Sequence, residues 1–391
     1  MDTQNTPIHF RMWNHNFWFL TLANLFVTMA VYSLVPFIPM QMHNDGYGWS
    51  DIAIIMGSFG LGMFVLGPFV GYWVERYRRN RVCTFAMFLF FVASLGLRQM
   101  NVLHDSGVDF ISILGLRLLQ GMVYGLAGMV IHSTLVLDTC ESLWRTEACH
   151  TLSYFSRFGY ALGPLTILAV SNLWGDNAAS FLSPALALVA IVLISLVKFP
   201  FRAPNEVSHR FSLDRFLLPK GRLLFANVLF VTTTFGLWLS LPFPMASYAW
   251  LLLGFALAVL AEKYVFADAN LKSEALTGML LSFVSFLLLA ACDIHLVSRA
   301  VPLLMGLGMG LMGSRYLLFF IKLSSHCQRG SSQSSFFLSW EFGIWFGLFL
   351  GYSVFHESFS YAEYTAMAII ALAFLFYNYF LHGWYMNHKN R

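Results

Sequence analysis

The sequence predicts an all-α polytopic membrane protein, with twelve transmembrane helices in two pseudo-symmetric six-helix bundles. Three observations predict it. The chain is 58% hydrophobic and only 11% charged, with 40 Phe and 11 Trp, whereas soluble domains carry roughly 25% charged residues. Apolar runs recur twelve times at lengths near the roughly 20 residues that a helix needs to cross a hydrocarbon core of about 30 Å. The two halves of the chain also echo each other, motif by motif, in the same order.

Segment one (16–40) follows a polar lead and closes on Pro36-Phe-Ile-Pro39-Met40. The lead has no short apolar region with a small-residue cleavage site, so the segment reads as a retained helix rather than a signal peptide. Segment two (50–74) runs out into Glu75, Arg76, Arg78, Arg79 and Arg81, which read as a short basic loop at a membrane surface. Segment three (81–100) leaves that knot. Segment four (109–135) carries Gly121, Gly125 and Gly128, and segment five (148–171) carries Phe158-Gly159-x3-Gly163. Segment six (179–199) leads into 200–221, the one extended polar linker.

The linker separates an N-terminal bundle (1–199) from a C-terminal bundle (222–391). Segment seven (222–242) repeats Ala23-Asn24 as Ala226-Asn227, and its Pro-rich end as Pro242-Phe-Pro244-Met245. Segment eight (246–266) ends in Glu262-Lys263-Tyr264, the match of Glu75-Arg76-Tyr77, with Gly254 answering Gly67. Segment ten (298–322) answers segment four with Gly306, Gly310 and Gly313. Segment eleven (333–354) answers segment five with Phe342-Gly343-x3-Gly347. Segments nine (274–291) and twelve (361–383) are apolar runs of spanning length. A duplicated six-helix unit puts a substrate site at the repeat interface near mid-membrane, with access alternating as the halves rock.

Charge sets the orientation. With both termini inside, 18 of the 23 Lys and Arg residues fall in or beside inner loops; Arg98 and Arg299 fall outside, and Arg117, Arg157 and Arg315 lie within spans. The net charge of +4 is dispersed among loops and offers no surface for nucleic acid. The five cysteines (Cys83, Cys140, Cys149, Cys292, Cys327) lack metal-ligand spacing, and four fall near inner loop ends, so no disulfide framework is expected. HExxH, Walker, GxSxG and dinucleotide motifs are absent, so no metal, cofactor or enzymatic chemistry is expected.

Three stretches carry a family resemblance. Gly71-x3-Glu75-Arg76-x2-Arg79 resembles the loop between the second and third helices of major facilitator superfamily transporters, which reads Gly, three residues, Asp, a base, one residue, Gly, then two bases. Here Glu75 replaces the Asp, Arg78 the Gly and Asn80 a base. Arg117-Leu-Leu-Gln120-Gly121-x3-Gly125 resembles the second motif of that superfamily. Gly159-x3-Gly163-Pro164 resembles the third, typical of its antiporter branches, with Leu165, Thr166 and Ile167 in place of a further glycine. The resemblance covers essentially the whole chain. It implies the major facilitator fold and a transporter of the bacterial efflux type, similar to the sugar-efflux and drug–proton antiporter branches.

An intramembrane Arg costs roughly 2.5–3.5 kcal/mol on insertion scales, so it faces a cavity or a partner. For Arg117 the resemblance implies a part in proton transfer; the structural alternative is an Arg bonded to backbone carbonyls. Arg157 and Glu341 occupy equivalent places in segments five and eleven, each roughly 13 Å from the inner face at 1.5 Å per residue, and Arg117 reaches a similar depth. Glu341 is the one carboxylate placed deep in the membrane. Burial favours its neutral form and a nearby Arg its anion, so a group held between them can load and release a proton. Two readings stay open: Glu341 carries the coupling proton, modulated by Arg117 or Arg157, or it forms a permanent ion pair that fixes the packing.

Asp138 is expected to contact Arg76 or Arg79 and close the inner side, the alternative being a solvated carboxylate. Arg315 is expected to snorkel to the inner surface. Asn24, Tyr32, Gln120, Tyr124, His132, Tyr154, Trp238, Tyr316 and Trp340 are candidates for the substrate cavity; most combine a polar handle with an apolar body. Singly, most read equally as packing or interfacial aromatics. The chain thus reads as a secondary active transporter, exporting a small amphipathic organic compound against proton entry. It is expected to act as a monomer in the inner membrane, with lipid, substrate and protons as partners. Two rivals remain: an uptake symporter or facilitator for an organic anion, and a non-transporting sensor or assembly factor on the same scaffold.

Overall fold

A computed structural model describes residues 12–100, 109–141, 143–198, 209–291 and 297–390. Cys292, Arg202 and the first part of the linker lie outside these residues. Twelve long helices account for most of the chain, with no strand among the described residues. They are α1 (His15–Asn44), α2 (Trp49–Arg76), α3 (Arg79–Met100), α4 (Phe110–Thr139), α5 (Arg145–Trp174) and α6 (Asp176–Leu196), then α7 (Pro219–Leu239), α8 (Met245–Tyr264), α9 (Leu271–Ala291), α10 (Val297–Leu323), α11 (Arg329–Val354) and α12 (Phe359–His388). Each predicted segment coincides with one helix, the ends differing by a few residues. Eleven are long and apolar enough to span a bilayer. The other, α5, is less apolar because it carries Arg145, Glu147, His150 and Arg157, and it packs between α1 and α8.

Local chemistry sets the ends and breaks. The Asn14 side chain caps α1 by accepting from the Phe17 N–H. The helix breaks at Ser33, ahead of Pro36 and Pro39. The freed Ala30 carbonyl accepts from the hydroxyls of Ser33 and Ser183 at 3.0 and 2.7 Å, as it must where water cannot reach it.

Within the first six helices, α1 packs on α5 and α6, α2 on α4, and α3 on α4 and α6. Within the last six, α7 packs on α11 and α12, α8 on α10, and α9 on α10 and α12. The second set is the first with six added to each label, so the sequence echoes correspond to equivalent packing. Two glycine contacts make this concrete. A Cβ on Gly163 would lie 2.8 Å from the Ser33 nitrogen and 2.9 Å from the Met29 carbonyl oxygen of α1, and one on Gly347 would lie 2.8 Å from Cα of Gly236 on α7. Gly159, a turn before Gly163 and Pro164, leaves room in the same way for Thr28, whose side chain a Cβ would meet at 2.7 Å. Small residues let these backbones approach. Between the two sets, α2 packs on α11 and α5 on α8.

The start of α1 and the end of α12 share one end of the bundle. The Asn14 side chain donates to the Thr139 carbonyl, the Lys198 N–H to Asn16, and the Asn390 N–H to the Lys322 carbonyl. This is called the terminal end below, and the opposite one the far end.

Candidate functional site

Glu341 is 1% exposed. It lies twelve residues into α11, about 18 Å from the terminal end of that helix and about 20 Å from the far end. Because α11 starts four residues ahead of the predicted segment, the carboxyl sits closer to mid-helix than expected. Three hydroxyls of the other bundle donate to it: Tyr160 of α5 at 2.7 Å, Tyr32 of α1 at 2.8 Å and Tyr124 of α4 at 3.0 Å. The Tyr32 and Tyr160 rings pack at 4.4 Å. Each hydrogen bond contributes roughly 0.5–1.5 kcal/mol to a neutral acceptor and roughly 1.5–3 kcal/mol to an ionised one, so three together tie the bundles in either state.

Neither arginine pairs with Glu341. The permanent ion pair, one of the two expectations, is absent from this conformation, and helix geometry explains why. Tyr124 and Tyr160 are level with the carboxyl. Arg117 lies seven residues, about 10 Å, toward the far end from Tyr124, and Arg157 three residues, about 4.5 Å, toward the terminal end from Tyr160. Arg117 donates to Gln120 at 2.8 Å, and Gln120 donates on to Ser94. Its guanidinium lies over the packed rings of Phe59 and Trp345, 4.7 and 5.2 Å away, while Nε and Nη2 have no hydrogen-bond partner. Arg157 donates across the bundles to the Gly310 carbonyl at 3.1 Å and to Ser314 at 3.2 Å, and within α5 to Ser153 at 3.0 Å. The Trp340 ring lies 5.8 Å from this guanidinium.

The terminal end is closed. Arg79 of α3 pairs with Asp138 of α4, a contact within one bundle, while Arg76 turns back to the Tyr72 hydroxyl of its own helix. Glu75 meets Arg215 of the linker at 3.8 Å, and this linker is more than a tether. Its Ser212 N–H donates to the Pro68 carbonyl, its Phe216 ring lies against Gly67, and its Arg215 and Leu218 N–H groups donate to Ser331 and Ser335 of α11. Asp214 comes within contact of a Cβ placed on Gly71. Residues 212–218 thus strap α2 of one bundle to α11 of the other. Arg215 holds a φ of 57°, a left-handed conformation that side chains other than Gly, Asn and Asp rarely adopt. Truncating Phe216 to Ala is expected to weaken this closure by about 3 kcal/mol and to speed thiol labelling of Cys149, buried at the same end. Unchanged labelling would remove the strap from the closure.

The far end holds a cavity of about 480 Å³ drawn from both bundles, with Pro39, Trp49, Pro242, Tyr248, Tyr352 and His356 among its walls. Among the described residues no Asp, Glu, Lys or Arg lines it. Its deepest α11 residue, Gly351, is ten residues from Glu341, about 15 Å. The buried rings of Trp238 and Trp345 fill the space between. The carboxyl is therefore sealed from both ends.

The other expected cavity residues divide. Asn24 donates to the Leu152 carbonyl and Ser156, and Tyr316 bonds Asn227, so both tie helices within one bundle. His132 Nδ1 meets its own helix at the Gly128 carbonyl, and its ring stacks on Phe337 of the other bundle. Tyr154 bonds Glu262. Arg315 does not snorkel: α9 presents the buried Glu274 to it, and the two form an ion pair. Tyr160 escaped the sequence reading because it sits inside a glycine motif that accounts for its neighbours. A polar stripe, Ser153-Arg157-Tyr160 at four- and three-residue steps along one helix face, is the signal that finds it. Among the described residues no cluster of three His, Cys, Asp or Glu side chains could hold a metal.

The sequence profile of the Major Facilitator Superfamily matches residues 20–314. A bacterial homologue of the iron transporter ferroportin, in its outward-facing state, is similar in fold, with a TM-score of 0.69 at 14% identity over 94% of this chain and 98% of that one. PepTSo, a transporter of the POT family, gives 0.72 at 12% identity over 97% and 100%. The human organic anion transporter MFSD10 gives 0.70 at 15% identity over 92% and 98%. No curated protein matches the sequence.

Proposed function

As the chain belongs to the Major Facilitator Superfamily, we propose that it is a secondary active transporter exporting a small amphipathic organic compound in exchange for protons, with Glu341 as the proton carrier. The observation that carries this reading is the three-tyrosine clasp across the bundle interface. An ionised carboxylate only accepts hydrogen bonds, whereas a protonated one presents a donor of its own. Three hydroxyls that all donate suit the anion. On protonation at least one must turn or let go, and the tie between bundles weakens. Loading and unloading a proton at Glu341 therefore releases and restores the clasp, which is what alternating access requires.

The excess of Lys and Arg at the terminal end supports a cytoplasmic placement for it, and the far-end cavity then faces outward. A volume of about 480 Å³ falls in the range of roughly 300–1,000 Å³ typical of sites for drug-sized molecules. In export, the proton loads from the far end as the compound leaves, and departs at the terminal end as the next compound enters. A second reading, uptake of an organic anion, is favoured by one observation: Arg117 is fully buried with two unpartnered guanidinium nitrogens.

Inverted membrane vesicles holding a pH gradient, challenged with pooled amphipathic cations, anions and neutral compounds, test both readings. A pool that collapses the gradient in wild type but not in Glu341→Gln supports proton-coupled export. Proton-independent uptake of anions, lost in Arg117→Gln, supports the second reading.

A further inference from the structure

The terminal end carries a second acid whose surroundings differ from those of its counterpart in the other bundle. Glu75 meets the Arg215 cation. Glu262, its match in the C-terminal bundle, touches no Arg or Lys of another helix among the described residues. The Tyr154 hydroxyl donates to it, and His150 Nδ1 lies 3.8 Å away without a hydrogen bond. A fixed cation holds a carboxylate ionised, whereas a hydroxyl and an imidazole can exchange protons with it.

These groups lead inward. Ser314 donates to the Tyr154 hydroxyl at 2.8 Å, and Arg157 holds Ser314 on one Nη and Ser153 on the other. Ser153, Arg157 and Tyr160 line a void of about 10 Å³, close to the space that one water occupies. Tyr160 donates to Glu341. A polar line therefore connects the central carboxyl with Glu262, interrupted at the void and between the two serines. Its inner end is sealed, while the side chains of Glu262 and His150 are 23% and 17% exposed.

We propose that Glu262, with His150 and Tyr154, is the second station of the coupling proton, taking it from Glu341 and delivering it to water at the terminal end. This rests on Glu341 being the carrier. In the transfer Glu341 becomes a carboxylate and Glu262 a carboxylic acid. Each intervening hydroxyl or water accepts one proton and gives one up, so none changes its charge, and Arg157 keeps all of its protons. The other charges within reach are Arg157, Arg315 and the Glu274 that Arg315 binds. Lys263 turns instead onto the Tyr264 ring. Arg157, lying along the path, opposes a proton in transit and so makes the passage depend on how its serines hold it.

Time-resolved infrared spectroscopy of the full chain in lipid nanodiscs after an alkaline pH jump tests this without a substrate. The Glu341 carboxyl band is assigned by its absence in Glu341→Gln. In Glu262→Gln and in Tyr154→Phe, deprotonation of Glu341 is expected to slow by about 100-fold, the scale of one general acid–base group. In Glu262→Asp, which keeps the acid, the rate is expected to recover. If Glu262 is only a latch between α5 and α8, its loss opens the terminal end and the rate rises instead; a raised or unchanged rate overturns the proposal. A wild type with no titrating Glu341 band would instead sink the carrier role on which the proposal rests.

Discussion

Glu341→Gln is expected to abolish transport driven by a pH gradient while leaving exchange of the compound between the two sides of the membrane intact or faster. Glutamine has the shape of the protonated acid and cannot ionise. The three tyrosine hydroxyls would then face a neutral amide. Bonds to a neutral group contribute roughly 0.5–1.5 kcal/mol, against roughly 1.5–3 for a charged one, so the clasp weakens by about 1 kcal/mol per hydroxyl. A weaker clasp lowers the barrier to rocking, which is why exchange is not expected to fall. The check is a paired assay on one preparation, gradient-driven accumulation beside counterflow. Persistent gradient-driven accumulation in the variant would place the coupling proton elsewhere. Loss of both activities would make Glu341 a structural residue.

The largest effect on stability is expected from Gly347→Leu. A Cβ at this position would collide with the Thr233 carbonyl and lie 2.8 Å from both Gly236 Cα and the Leu237 nitrogen. All three are backbone atoms of α7, so no side-chain rotation relieves the clash; the two helices must separate. Overpacking in a core typically costs 1–3 kcal/mol and occasionally more; a backbone-on-backbone collision belongs at or above about 3 kcal/mol. The expected result is a large loss of monodisperse protein after detergent extraction. Gly115→Leu is the control, since a Cβ there meets nothing within 4 Å, and it should extract like wild type. Equal recovery of the two variants would mean that the α7–α11 approach is not needed for folding.

These two predictions also mark what could be read from sequence. The spans and their pairing were legible because apolar length and small-residue spacing are one-dimensional signals, and Gly163 and Gly347 carry the same message in both halves. Depth was legible too, to within the four residues by which α11 starts early. Direction around the helix was not. Arg157 and Tyr160 differ by three residues, which is about 4.5 Å along the axis and about 60° around it. That small difference decides which of them meets Glu341. Partners brought by a third element were hidden in the same way. Nothing in the linker composition marks Phe216 and Arg215 as a strap, and Arg315 reads as a snorkelling residue until α9 brings Glu274 beside it.

The position of the clasp on α11 has a mechanical consequence. That helix carries the strap-binding serines at one end, the cavity wall at the other and Glu341 close to its midpoint. With the carboxyl as fulcrum, the two arms are about 18 and 20 Å long, so a tilt of about 10° swings the ends by about 3 Å in opposite senses. Opening one mouth and shutting the other are then a single movement of one rigid rod. A leak, with both mouths open at once, would require the rod to bend or the fulcrum to slip.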